Sequence, residues 1–540
     1  TSKADIACRG GARVQQISKY RLGLGMTSAV NRLEVRPLLE EFRILGLHGR
    51  KDISFTTEDS ASILMARNGS GKTTLLAAIN AVLTSNFYKL TDFTFESIVF
   101  KLRDSEQVTI TDSDMVELKL GVSESQISKI ASDCNLSVQY VLEVAQSIGE
   151  GASFSRYQFH PGMRELYDRH PSLGHKAIYE ALMQSIKYMY TRVPNISIAM
   201  DNVKSVIGDY DIVYLPTYRR IEMSLPRLQT ESRRVNHWGE SQRSGGNLLP
   251  SEIKFGLSDI SERLQEIFLE IQRKSNTTYQ KISANIINEL LDGSFAETSS
   301  EDGRPDKEEL ELFFDRIRAS RSRNVAQIAL PDIEKIYSGD FDEGVKPFLL
   351  YFLSNLNEAI KSTKPLEDRV NGFLVACNNY LMDADSTAFK EGGLSISSPE
   401  NKKIEINRAN FRPFFTSGQQ GAPIRIDALS SGEKQVVSLF ARLFLYEKKK
   451  IILFDEPELS LSIGWQTKLI PDLCRSPDFA QMIAITHSPF IFDNEMDQFA
   501  GNLDVISRDY VSPESEFNEF LPDIDDLFSD EVDGGEGTLF

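Results

Sequence analysis

The feature that most constrains this chain is a glycine-rich loop between an apolar strand pattern and an apolar helix pattern. The loop is Arg67-Asn-Gly-Ser-Gly-Lys-Thr-Thr74, preceded by the strand pattern 62–65 and followed by the helix pattern 74–83. Such a loop lets backbone N–H groups converge on phosphate oxygens, and the start of the following helix adds partial positive charge. The sequence therefore predicts an α/β fold that binds a phosphate-bearing ligand where a strand ends.

Two side chains of this loop predict the ligand. Lys72 is expected to reach the β- and γ-phosphates of ATP, and the Thr73 hydroxyl to complete the shell of a Mg²⁺ ion. The first glycine of the usual motif is replaced by Ala66, which weakens the match modestly because alanine disfavours positive φ. The predicted nucleotide-binding residues of the loop are Asn68, Gly69, Ser70, Gly71, Lys72, Thr73 and Thr74.

A second motif, Ile451-Ile-Leu-Phe-Asp-Glu-Pro457, places two adjacent carboxylates after an apolar run. The run fits a buried parallel strand, which would deliver both carboxylates at one edge of a sheet. Asp455 is predicted to be a Mg²⁺ ligand. Glu456 is predicted to be the general base that polarises the attacking water.

Two further segments complete the set of candidate site residues. Leu429-Ser-Ser-Gly-Glu-Lys-Gln435 precedes a helix pattern, and Ser430 and Gly432 at its start are predicted to donate to a γ-phosphate. The alternative is an ordinary N-cap with a capping-box glutamate. The strand pattern from Met482 ends at His487, which is predicted to sense the γ-phosphate. A lone histidine would more often be a packed bystander, but its place after three other motifs favours the functional interpretation.

These four motifs, in this order, resemble those of ABC/SMC-like ATPases over about residues 41–110 and 395–500. Ser431 and Glu433 stand where that family's signature has glycine and glutamine. The resemblance implies an α/β, ABC-type P-loop NTPase head with a large, mainly helical insertion. It also implies hydrolysis of ATP at a composite site, where the P-loop of one head meets the signature of another. We therefore expect a head-to-head dimer or higher oligomer; a scaffold that binds ATP without hydrolysing it is the alternative that Ala66 and the altered signature leave open.

Segments 458–466 and 486–494 resemble the OLD-like branch, and within it the PtuA type of Septu and retron-associated antiphage systems. Segment 213–222 is similar to a segment of that branch. OLD nucleases carry a Toprim domain after the switch histidine, whereas 53 residues follow His487. We therefore expect no nuclease in this chain. The resemblance implies an HNH nuclease partner in trans, with DNA or RNA, including retron DNA, as a further candidate partner. The alternative is a RecF/SMC-like DNA-repair ATPase, with DNA-stimulated hydrolysis and no nuclease-encoding neighbour gene.

Charge is distributed unevenly along the chain. The net charge of -18 argues against a uniformly basic nucleic-acid binder, yet residues 504–540 hold twelve acidic residues against one basic residue. A local basic groove elsewhere is thus compatible with the composition. Its candidates are the stretch 219–243 and the cluster of Arg316, Arg318, Arg321 and Arg323, with solvated faces or salt bridges as the alternative.

The chain has no apolar run near the about 18 residues of a membrane span and no apolar signal segment at its start. Its four cysteines form no CxxC pair, so neither a zinc site nor a disulfide framework is predicted. We expect a cytoplasmic protein without a membrane partner.

Composition and periodicity divide the chain into five predicted segments. These are an N-terminal extension (1–38), the N-terminal lobe of the head (39–115), a helical insert or arm (116–392), the C-terminal lobe of the head (393–500) and an acidic tail (501–540). In the insert, apolar residues from Leu257 to Ile271 follow a coiled-coil-like seam that fades at Ser275, which predicts a short arm. In the tail, residues 513–530 have the apolar spacing of an amphipathic helix and are expected to contact a partner; a solvated, disordered end is the alternative.

Overall fold

A computed structural model describes residues 36–67, 69–148, 160–170, 173–216, 257–292, 303–319, 331–339, 342–382, 402–407, 410–418, 421–425 and 428–508. The predictions for residues 1–35, Asn68, the basic stretch 219–243, Arg321, Arg323 and the tail segment 513–530 lie outside the described residues. Within the described ranges, no helix combines the length and apolar character needed to cross a bilayer.

The strands are numbered along the chain. They are β1 (Leu39–Leu47), β2 (Lys51–Thr56), β3 (Ala61–Met65), β4 (Ser97–Leu102), β5 (Val108–Thr111), β6 (Asp211–Leu215), β7 (Lys402–Ile406), β8 (Pro413–Ser417), β9 (Ala422–Ile424), β10 (Lys450–Asp455), β11 (Phe479–Thr486), β12 (Ala500–Asn502) and β13 (Asp504–Ser507).

The helices are numbered in the same way. They are α1 (Lys72–Leu83), α2 (Asp112–Glu124), α3 (Gln126–Cys134), α4 (Val138–Ile148), α5 (Pro161–Arg169), α6 (His175–Arg192), α7 (Pro194–Ile207), α8 (Leu257–Asp292), α9 (Lys307–Ala319), α10 (Ile333–Ser338), α11 (Lys346–Leu381), α12 (Ser431–Phe444) and α13 (Ile463–Cys474).

Three sheets organise these elements. A parallel sheet has the order β12-β3-β11-β10-β6, and an antiparallel sheet has the order β13-β2-β1-β4-β5. A smaller antiparallel sheet joins β7, β8 and β9. The predicted α/β fold class is therefore confirmed, and so are the strand and helix patterns that flank the glycine-rich loop.

The parallel sheet is covered on both faces, which explains why β10 is apolar almost throughout. Ile451 and Leu453 point into one core, with α1, the antiparallel sheet and the helices α2–α7. Ile452 and Phe454 point into a second core, with α12, α13 and parts of α8 and α11. A strand buried on both faces has this continuous apolar pattern, and its carboxyl end consequently delivers Asp455 from a rigid position.

β6 corrects the predicted extent of the insert. Residues 116–392 are predicted to be a mainly helical insert, whereas β6 pairs in parallel with β10 and forms the edge of the central sheet. Asp211 at the start of β6 accepts a hydrogen bond from Arg442 of α12, 2.8 Å away. The chain therefore returns to the head between α7 and α8.

The arm built from α8, α9 and α11 is longer than the seam pattern predicts. Helix α8 does not end where the seam fades, because Ser275 is itself buried and Ile282 packs into a third apolar cluster with α9 and α11. At 36 residues, α8 spans about 54 Å. Beyond the seam, the described part of α8 packs against α9 and α11 and not against a coiled-coil partner.

Arg316 of the predicted basic cluster is not a surface cation. Its guanidinium is buried and forms a two-point ion pair with Glu367 of α11, with N–O distances of 2.5 and 3.0 Å. The predicted role of Arg316 in binding a phosphate backbone is thus wrong, and the salt-bridge alternative holds for this residue. A buried guanidinium held by a carboxylate contributes to the packing of α9 on α11 instead.

Candidate functional site

The glycine-rich loop follows β3 and leads directly into α1. Gly69 and Gly71 both have positive φ, at 75° and 96°. A Cβ at Gly71 would lie 2.6 Å from Cδ1 of Ile53, so only glycine fits this turn. No side chain caps the start of α1, and within the described ranges the buried Ser70 hydroxyl has no hydrogen-bond partner. These polar groups suit phosphate oxygens.

Lys72 brings three predicted site residues together. It is the first residue of α1, and only 5% of it is exposed. Its Nζ lies 3.3 Å from Oε1 of Glu456 and also contacts Nε2 of His487. His487 Nε2 is in turn 3.8 Å from Glu456 Oε1. A cation, a carboxylate and an imidazole from three separate motifs therefore lie in contact with one another at the glycine-rich loop.

Thr73 and Asp455 form the second contact between the motifs. The Thr73 hydroxyl donates to Oδ2 of Asp455 at 2.7 Å, and the Asp455 carboxylate is buried at the end of β10. Adjacent hydroxyl and carboxylate oxygens fit Mg²⁺, which takes few protein ligands beside phosphate and water. In the described part of the chain, no group of three or more His, Cys, Asp and Glu could hold a metal ion. Thr74 lies in the same first turn of α1.

Glu456 has a backbone conformation that few residues other than glycine adopt. Its φ is 52°, and its N–H donates to the carbonyl oxygen of Ile485 on β11 at 2.8 Å. The turn directs the chain away from β10 as soon as the strand has delivered Asp455. Strained backbone of this kind is typical of functional sites, where surrounding contacts hold it in place.

The chain also matches a known protein family. The family described as "AAA domain, putative AbiEii toxin, Type IV TA system" matches residues 221–493, which include β10, α12 and His487. The chain belongs to this AAA-domain family. Among solved structures, it is similar to the SMC head bound to the C-winged helix domain of ScpA, at 11% identity, with 89% of this chain and 100% of that chain covered. The TM-score of that match is 0.31. Comparison with curated proteins gave no match.

Glu458 is a residue of this AAA-domain ATPase that motif reasoning missed. Its Oε1 accepts from the backbone N–H of His487 at 2.8 Å, and its Oε2 accepts from the Thr486 hydroxyl at 2.7 Å. Burial raises the pKa of the Glu458 carboxyl above its ordinary value, and the hydrogen bond from Thr486 opposes that rise. A third carboxylate so soon after Asp455 and Glu456 is the sequence signal that could have revealed it.

The predicted signature residues contact other groups than Lys72 and Thr73 do. Ser430 is the exposed N-cap of α12, where its hydroxyl accepts from the N–H of Glu433 and the Glu433 carboxylate accepts from the N–H of Ser430. The capping box considered as the alternative is therefore present. Gly432 is buried, and a Cβ there would collide with the carbonyl oxygen of Ser460. The start of α12 thus rests on the loop that follows Glu456.

Proposed function

We propose that this chain is an ABC/SMC-like ATPase of an antiphage defence system that controls a separate HNH nuclease through its nucleotide state. The observation that carries the ATPase part is the convergence of Lys72, Thr73, Asp455, Glu456 and His487 on one edge of the parallel sheet. These residues come from three distant parts of the sequence, and their chemistry is that of nucleoside triphosphate hydrolysis.

Each of these side chains has a proposed role in converting ATP and water to ADP and phosphate. Lys72 supplies positive charge at the β- and γ-phosphates, and Thr73 and Asp455 would hold Mg²⁺, which neutralises charge on the phosphates. Glu456 takes the proton from the attacking water. His487, within reach of Glu456 and Lys72, contacts the γ-phosphate.

The separate contacts of the signature support a dimer. Ser430 and Gly432 interact with Glu433 and Ser460, whereas the P-loop interacts with Glu456 and His487. We propose that the exposed Ser430 meets ATP held by the P-loop of a second copy. Hydroxyl and N–H groups at a helix start suit that contact because they bind anions.

Two observations support the defence role. The segments 458–466 and 486–494 are similar to those of PtuA-type ATPases, and the family that the chain belongs to is described by a toxin of a toxin–antitoxin system. Both point to a protein that acts against its own cell or an invader under control of a switch. The proposed partner is an HNH nuclease supplied in trans.

The test is a phage challenge of cells that express this chain together with the product of an adjacent HNH gene. Protection should require both genes and should be lost with Lys72→Ala, but not with Lys101→Ala. If the chain alone hydrolyses ATP faster with DNA, and no neighbouring nuclease gene exists, the RecF/SMC-like alternative replaces the defence role. If neither ATP binding nor hydrolysis is detected, the ATPase assignment itself is overturned.

A further inference from the structure

The turn that carries His487 is fixed by a closed set of side-chain hydrogen bonds. Besides the two bonds to Glu458, Thr486 Oγ1 accepts from the N–H of Ser488 at 3.0 Å. The Ser488 hydroxyl donates to Oε1 of Gln466 on α13 at 2.7 Å. The Gln466 amide nitrogen donates to the carbonyl oxygens of Leu461 at 3.0 Å and of Glu458 at 3.4 Å. The network thus begins and ends in the loop that carries Glu458 and Leu461.

Glu458 is the residue of this network that acts on His487 directly. Its two carboxylate oxygens bind consecutive residues, one through the backbone N–H of His487 and the other through the hydroxyl of Thr486, which is fully buried. Two-point binding fixes both the position and the rotation of the peptide that bears the imidazole. The ionised carboxylate can only accept hydrogen bonds, so both donors are satisfied without competition.

We propose that Glu458 is a positioning residue that holds the His487 imidazole against Glu456 and the ATP γ-phosphate. The inference rests on the proposed ATPase function and deepens it. Glu458 does not touch the reacting atoms; it acts through the backbone of His487. The charges of Glu456 and Lys72 act on the Glu458 carboxyl. The position of Glu458 in turn determines the position of His487.

The position of the loop gives this arrangement a second consequence. Residues 456–461 carry the proposed base, Glu456, the positioning residue, Glu458, and Ser460, which lies against Gly432 of the signature helix. A displacement of Glu458 would therefore alter the spacing of His487 from Glu456 and leave the backbone of the glycine-rich loop in place. Turnover should depend on Glu458 more than nucleotide binding does.

The experiment compares Glu458→Gln and Glu458→Ala with a matched control, Glu495→Gln, which removes an exposed carboxylate paired with Arg475. Glutamine can still accept from the His487 N–H, so it should retain part of kcat. Alanine should lower kcat by about 10²-fold, the cost of misplacing a catalytic group by about 1 Å. KM for ATP should stay near the wild-type value in both variants, and Glu495→Gln should match the wild type.

A second measurement does not depend on turnover. In histidine-labelled protein, the His487 imidazole resonances, assigned with a His487→Asn variant, should shift in Glu458→Gln and stay in place in Glu495→Gln. Unchanged imidazole resonances with wild-type kcat in Glu458→Ala would overturn the inference, as would parallel losses of kcat, ATP binding and melting temperature. If the Glu458 substitutions shift these resonances but the wild-type protein does not hydrolyse ATP, the proposed function is contradicted. The positioning of His487 by Glu458 would then still stand.

Discussion

The hydroxyl of Thr73 donates to the carboxylate of Asp455 at 2.7 Å, although 382 positions separate the two residues in the chain. The contact exists because β3 and β10 flank β11 in the parallel sheet and end at the same edge. In the sequence, the whole central segment of the chain, including the arm, lies between β3 and β10. The site is thus assembled from segments that are distant in the sequence, and substitutions in each segment test it.

Lys72→Ala should abolish tight ATP binding. Lys72 is the residue of the glycine-rich loop proposed to supply positive charge at the β- and γ-phosphates, and alanine supplies none. Equilibrium titration with a fluorescent ATP analogue measures the effect. Lys101→Ala, which removes an exposed lysine 3.3 Å from Glu40, is the matched control and should bind normally. Retained binding by Lys72→Ala would argue against this nucleotide site.

Mixing Lys72→Ala chains with Ser430→Arg chains should restore part of the hydrolysis that each variant lacks alone. In a mixed dimer, both substitutions fall on one composite site and the other site is intact. Phosphate release is measured across mixing ratios. The composite site would be contradicted by a mixture that stays inactive at every ratio while mixed dimers form.

Gly432→Ala should slow hydrolysis and lower stability by about 1–3 kcal/mol, because the added methyl group collides with the Ser460 carbonyl oxygen. The loop that carries Glu456 and Glu458 would have to shift. Gly501→Ala is the control, since a Cβ there has open space. Thermal unfolding and ATPase rates check both variants, and equal behaviour of the two would refute the packing argument.

Lys450 predicts a pH dependence of stability. Its ammonium is buried beside the carbonyl oxygens of Tyr446 and Lys448, and burial is the main cause that lowers its pKa from 10.5 to about 8. Within that shift, Asp478 and Asp211 oppose the lowering, and Arg369 and Arg442 contribute to it. Between these pKa values the unfolded chain binds the proton that the folded protein has released, so stability rises with pH in that window.

The comparison with Lys450→Met isolates this contribution, because other titrating groups cancel. From pH about 7.5 to about 9.5, the unfolding free energy of the wild type should rise relative to the variant by on the order of 1–2 kcal/mol. Urea unfolding at both pH values measures it. A constant difference between the two proteins would show that Lys450 titrates normally.

The sequence predicts those parts of the molecule that local pattern determines. The loop before Lys72 and the apolar strand before Asp455 are defined by neighbouring residues, and the structure places both as expected. β6 escaped prediction because five residues, Asp211–Leu215, carry little periodicity and pair with a strand more than 200 positions later. Arg316 looked like a surface cation because its partner, Glu367, lies on another helix.

The hydrogen-bond partners of Glu458 could not be derived from spacing for the same reason. Its hydrogen bonds reach Thr486 and His487, which become neighbours only when β10 and β11 pair. The capping box at Ser430, in contrast, was visible as an alternative in the sequence, because both of its partners are three residues apart. Local hydrogen bonds are readable from the sequence, and tertiary ones require the fold.

The most direct test of the ATPase assignment is single-turnover hydrolysis by Glu456→Gln. The amide keeps the size of the side chain beside Lys72 but cannot take a proton from water, so hydrolysis should fall by about 10²–10⁴-fold. ATP binding should persist, and the variant should accumulate as a closed dimer with ATP. Hydrolysis at the wild-type rate by Glu456→Gln would contradict the account of this site.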